Sequence, residues 1–210
     1  MLLSGNMALM YLLDVCTMAF FFFFLFTILP FTSFRKMSAV CRKKTGWHLA
    51  PEKHNELIEK KNPKLIVCGD SIVSGLGRYK DVWQTHFNEM TVNLGEPGDR
   101  VEHLLWRLQK LCPSRSITTA FILCGTNNIE KDIPERIVTM LFECCRVLTG
   151  WGIRVVLSHI LPRDGASDIT RDKLRIVNTC LDRRRERGVY VFPAVHWLMN
   201  DGGLSKKLYF

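Results

Sequence analysis

Three short polar stretches of this sequence hold the residue types that acyl transfer requires. They are Gly69-Asp70-Ser71-Ile72, Gly95-Glu96-Pro97-Gly98-Asp99-Arg100 and Gly125-Thr126-Asn127-Asn128. Attack on an ester needs a hydroxyl exposed at a tight turn, and Ser71 directly after Gly69-Asp70 fits that need. The tetrahedral intermediate needs hydrogen-bond donors aimed at its oxyanion. The backbone N–H groups of Ser71 and Gly98 and the side-chain amide of Asn127 are the candidates. Glycine at position 98 permits close approach of backbone to ligand. Each stretch alone is weak: Gly-Asp-Ser is also an ordinary helix N-cap, and Gly-Thr-Asn-Asn an ordinary turn. Their order, each after an expected strand, carries the reading. Competing motifs fail. Gly75-Leu76-Gly77 lacks the third glycine of a dinucleotide site, no Gly-Lys-Ser/Thr follows for a phosphate loop, and there is no G-x-S-x-G elbow.

The elements that must position these residues are short apolar runs. Lys64–Cys68, Thr91–Leu94, Thr118–Cys124, Arg154–Ser158 and Val189–Phe192 read as buried strands. Between them lie helical patterns. Val101–Leu111 aligns Val101, Leu104, Leu105, Leu108 and Leu111 on one face. Pro134–Leu148 starts on proline and is followed by Gly150. Ile169–Arg187 turns Leu174, Ile176, Val177, Cys180 and Leu181 inward and stops at Gly188. Arg183-Arg184-Arg185 reads as its solvated face. The alternation predicts an α/β fold with three layers, flavodoxin-like, around a parallel sheet of about five strands. Ligands in such folds bind beyond the carboxyl ends of the strands, where the three polar stretches fall.

With C-G-D-S-I-V (68–73), G-D-R-V-E-H-L-L-W-R-L (98–108), C-G-T-N-N (124–128) and L-P-R-D (161–164), the chain resembles the SGNH hydrolases, or GDSL esterases. Within them it is similar to the branch holding the catalytic alpha subunits of platelet-activating-factor acetylhydrolase and the esterase domains of some LINE-type retrotransposon proteins. The resemblance spans residues 62–210. It implies Ser71 as nucleophile, with Ser71, Gly98 and Asn127 as oxyanion donors. It gives Asp70, Asp99 and Asn128 supporting roles in bracing the loops. The family's closing Asp-x-x-His block, whose His activates the serine, is not found. Asp201-Gly202-Gly203-Leu204…Leu208-Tyr209-Phe210 matches the stretch that precedes it, which places the catalytic pair just beyond Phe210 and predicts an impaired or inactive chain. His196, His159 and His103 are poorer substitutes for the base. The implied substrate is a small acyl ester or lipid, hydrolysed through an acyl-serine, with no metal or organic cofactor. The competing reading is a non-catalytic, nucleic-acid-associated module of a retroelement polypeptide.

Residues 1–34 are a hydrophobic segment. Val15 to Phe34 carries no charge, about the length that spans a bilayer as a helix. Basic residues follow it, so a span would leave the domain on the cytoplasmic side. A signal peptide fits less well, and translation of sequence outside the gene is a third reading. Residues 35–61 read as a basic linker. Positions 35–64 hold nine Lys/Arg against three Glu, out of a net charge of +9. That charge could meet nucleic acid or anionic lipid. The eight cysteines form no C-x-x-C pair, and Cys68 and Cys124 read as small core hydrophobes. An intracellular, reducing location is expected.

Overall fold

A computed structural model describes residues 39–43, 45–78, 83–84, 87, 89–163, 165–195, 199–200 and 203–204. The expected apolar N-terminal helix, His196, and the stretch from Leu208 to Phe210 lie outside the described residues. Among the described residues no helix is long and apolar enough to cross a membrane.

Five parallel strands form the sheet: β1 (Leu65–Gly69), β2 (Thr91–Gly95), β3 (Thr119–Leu123), β4 (Arg154–Ser158) and β5 (Val189–Phe192), in the order β2-β1-β3-β4-β5. Each lies within a residue or two of the run that predicted it. The helices are α1 (Ala50–Lys61), α2 (Ser71–Leu76), α3 (Val101–Leu108), α4 (Pro134–Thr149) and α5 (Asp168–Arg183). A two-residue antiparallel pair, Met199–Asn200 with Gly203–Leu204, follows β5. The chain steps outward from β1 to β2 and then returns to β3 on the other side of β1. That reversal opens a crevice at the carboxyl ends of β1 and β3.

Among the described residues the two sheet faces are unequally buried. Ile66, Cys68, Ala120 and Ile122 are at most 1% exposed, on the face where α3, α4 and α5 pack side by side. On the other face Val67, Phe121, Val156 and Tyr190 form one register row. Val67 is fully buried, Phe121 and Val156 half-buried, and Tyr190 exposed. Val73 of α2, with Ile72, Trp83 and Phe87, covers the β1 end of that row.

Three expectations are corrected. The basic linker is folded from Gly46 onward: a turn of 3-10 helix (Trp47–Leu49) leads into α1, burying Trp47, His54 and Ile58. Secondly, α5 ends at Arg183 instead of Arg187, because Arg184 turns extended and lays its guanidinium over the Phe142 ring. Only part of the arginine run is therefore a solvated helix face. Thirdly, Ile176 points to solvent, while Asn178 takes the inward position and exchanges two hydrogen bonds with the backbone of Ile160. Leu174, Val177, Asn178 and Leu181 follow the helical period, and Ile176 stands off it.

Candidate active site

Ser71 is the exposed first residue of α2, immediately beyond β1. Asp70 caps this helix, its Oδ1 accepting from the Ile72 amide at 2.9 Å. Its Oδ2 is buried and, among the described residues, meets no hydrogen-bond partner in full geometry, though the Gly125 amide is near enough to pull the acid down. Burial pushes the Asp70 acid up to about 6, the Ile72 amide pulls it down, and the Asp99 charge pushes it up again. Close packing below the serine depends on Gly69. A Cβ there would stand 2.1 Å from the Leu123 carbonyl oxygen, so only glycine lets β1 and β3 end side by side.

The loop after β2 brings Gly98 in with φ +76°, left-handed backbone that favours glycine. Arg42 lies over it, donating through Nη1 to the Pro97 carbonyl at 2.6 Å. The loop after β3 brings Asn127. Its Nδ2 donates to the backbone oxygen of Asp99 at 2.7 Å, and its Oδ1 accepts from Arg163. The expected oxyanion donors thus stand at three neighbouring strand ends, two of them tied to one another through Asp99.

Beneath these loops runs a buried polar network. Asp99 accepts from the Trp47 indole at 2.8 Å and from Arg107 Nε at 2.8 Å. Arg107 also donates to the carbonyls of Leu94, at 2.8 Å, and Gly69, at 3.1 Å. It thereby fastens the ends of β2 and β1. Its Nη1 lies 3.3 Å from His54 Nδ1, and His54 Nε2 lies 3.2 Å from Glu96. Burial holds His54 below its ordinary range, against the pull of Glu96. The bond to His54 holds Glu96 below the usual carboxylate range. Asn128 is fully buried. Its Oδ1 accepts from the Val101 amide, and its Nδ2 donates to Glu102 and Asp132, which joins the β3 loop to the start of α3.

Trp47, His54, Arg107 and Arg163 are absent from the expected site residues. Arg107 and Arg163 left a signal, each lying inside a stretch that carries the resemblance, G-D-R-V-E-H-L-L-W-R-L (98–108) and L-P-R-D (161–164); Trp47 and His54 left none. Of the alternative bases, the two among the described residues are engaged elsewhere. His103 Nδ1 accepts from the Arg100 amide at 3.0 Å, and His159 Nε2 meets Asp182 at 2.8 Å. Cys68 and Cys124 are buried as expected. Burial pushes the Cys68 thiol up to about 12 and Cys124 well above its ordinary value, so neither is a thiolate nucleophile.

A structure from Streptococcus pneumonia described as a platelet activating factor superposes with TM-score 0.62 at 22% identity, covering 76% of this chain and 80% of that one. A GDSL-like lipase from Bacteroides thetaiotaomicron gives TM-score 0.58 at 14% identity, over 72% and 81% of the two chains. The chain has the SGNH-hydrolase fold. Sequence comparison agrees: platelet-activating factor acetylhydrolase IB subunit alpha1 of Rattus norvegicus and of Mus musculus are each 28% identical over 151 residues, 68% of this chain. The chain spans 61% of the length of these curated relatives. No protein-family model matches the chain.

Proposed function

We propose that this chain is a serine ester hydrolase of the SGNH type, acting on small acyl esters through an acyl-serine intermediate. The observation that carries the reading is the exposed Ser71 at the β1 end, with Gly98 and Asn127 at the two flanking strand ends. In this reading the Ser71 oxygen attacks the ester carbonyl. The N–H groups of Ser71 and Gly98 and the free N–H of the Asn127 amide receive the oxyanion. The alcohol leaves, and water releases the acyl group. Asp70, Asp99 and Asn128 hold the three loops through the bonds described above. Ile72 and Leu161, half-buried on the Val67–Val73–Leu123 cluster, offer apolar surface for a short acyl chain. The nearby cavity lined by Thr126, Ile129, Leu161, Pro162 and Leu174 holds only about 10 Å³, room for a water and not for an acyl group.

The serine proton must pass to a general base and on to the departing alcohol, the role of the histidine in the Asp-x-x-His block of the hydrolases this chain resembles; no Asp-x-x-His occurs in residues 1–210. A serine without its base keeps only the catalysis of the oxyanion hole and binding, ~10³–10⁴-fold over water. The test is a panel of nitrophenyl acetate, butyrate and octanoate against the chain and its Ser71→Ala variant. Turnover favouring acetate and lost with Ser71→Ala supports the reading. Equal background rates in both proteins would show that residues 1–210 do not turn over esters through Ser71, and absence of covalent labelling of Ser71 in the folded chain refutes the reading.

A further inference from the structure

We propose that Arg42 and Arg163 are positioning residues, each fixing the direction of one oxyanion donor by gripping the oxygen of the same amide group. The inference rests on reading this site as an ester hydrolase.

An amide is planar, and in a trans peptide its C=O and N–H point to opposite sides. Whatever holds the oxygen decides where the N–H aims. The Pro97 carbonyl and the Gly98 N–H belong to one peptide unit, and Arg42 Nη1 holds that carbonyl at 2.6 Å. The guanidinium lies so close that a Cβ at position 98 would stand 2.9 Å from Arg42 Nη2. Glycine therefore serves the grip as well as the turn. Asn127 repeats the arrangement in a side chain. Arg163 Nη2 donates to Oδ1, and one Nδ2 hydrogen is committed to the Asp99 carbonyl at 2.7 Å. With both ends of the amide held, its remaining N–H has a single direction.

The two grips come from distant parts of the chain: Arg42 is 55 residues from Pro97, and Arg163 is 36 from Asn127. They converge on the loops after β2 and β3. A cation on an amide oxygen also polarises that amide and strengthens its N–H as a donor. Arg42 and Arg163 thus act through Gly98 and Asn127 without touching substrate.

Arg42→Met and Arg163→Met keep the aliphatic stem and remove the donor, and the Lys variants retain a donor and the charge. Two readouts separate the proposal from the hydrolase reading. The first is the ¹H–¹⁵N resonance and hydrogen exchange of the Gly98 N–H and the Asn127 side-chain amide. The second is the rate at which a neutral alkyl fluorophosphonate labels Ser71. Each Met variant is expected to shift its own donor's resonance and speed its exchange. It should also slow labelling by about 10- to 100-fold, less than outright loss of a donor, with partial recovery in the Lys variant. Unmoved resonances in the Met variants, or labelling at the wild-type rate, overturn the proposal. A folded wild-type chain that never labels refutes the hydrolase reading instead, and the resonances still decide the positioning.

Discussion

Arg107 and Asp99 form an ion pair sealed from water, Nε to Oδ2 at 2.8 Å, with side chains 1% and 0% exposed. Removing one partner of such a pair strands the other charge, at a cost of about 3–5 kcal/mol. Because Arg107 also ties the carbonyls of Gly69 and Leu94, its loss should loosen both site loops. Arg107→Met is expected to lower unfolding free energy by about 3–5 kcal/mol, measured by urea titration. A loss under about 1 kcal/mol would mean the pair does not brace the loops.

Asp70 should make stability fall as pH rises. Its acid is raised to about 6, above the unfolded value near 3.9, so between those pH values the folded state binds the proton more tightly. Stability from this group is full below about pH 4 and is lost as pH rises through about 6. Asp70→Asn keeps a capping side chain and removes the titration. Subtracting the variant's stability from the wild type's across pH 4–7 should reveal a decline of about 2–3 kcal/mol. A flat difference would rule out the proposed burial of the charge.

Trp47 tests whether the basic segment is part of the folded body. Trp47→Phe keeps an aromatic ring against Trp106, now at 5.0 Å between centroids, and removes the indole N–H from Asp99. Leaving a buried acceptor unsatisfied costs about 1–3 kcal/mol. Thermal or urea unfolding should show that loss, whereas an unchanged midpoint would return residues 46–49 to the status of a linker.

Gly69→Ala should be among the most damaging single-methyl additions, since the new Cβ meets the Leu123 backbone oxygen at 2.1 Å, which cannot rotate away, as well as Val73 Cγ2 at 2.4 Å. Overpacking of this kind typically costs 1–3 kcal/mol and sometimes more, and about 3 kcal/mol or greater is expected here. Unfolding within about 0.5 kcal/mol of wild type would show that the strand ends are freer than described.

The sheet was legible because its strands are short apolar runs closed by glycine or polar residues, as at Leu65–Gly69 and Thr119–Leu123. That Ser71, Gly98 and Asn127 each follow the end of a strand was legible from the succession of apolar runs and polar stretches along the chain. Two helices escaped. In α1, with the sequence Ala-Pro-Glu-Lys-His-Asn-Glu-Leu-Ile-Glu-Lys-Lys, the inward face is made of Ala50, Pro51, His54 and Ile58, so charge hides the periodicity. In α2, six residues with a glycine leave no period to read. The network of Trp47, His54, Asp99 and Arg107 was invisible for another reason. Its bonds join residues up to 53 positions apart, and polar pairing across such separations leaves no local pattern.

The most direct measurement is the intact mass of the folded chain after incubation with an alkyl fluorophosphonate, followed by peptide mapping. One adduct is predicted, on Ser71, forming slowly in the absence of an Asp-x-x-His base and absent from Ser71→Ala. No adduct on a chain shown to be folded, or an adduct elsewhere that persists in Ser71→Ala, would contradict the account.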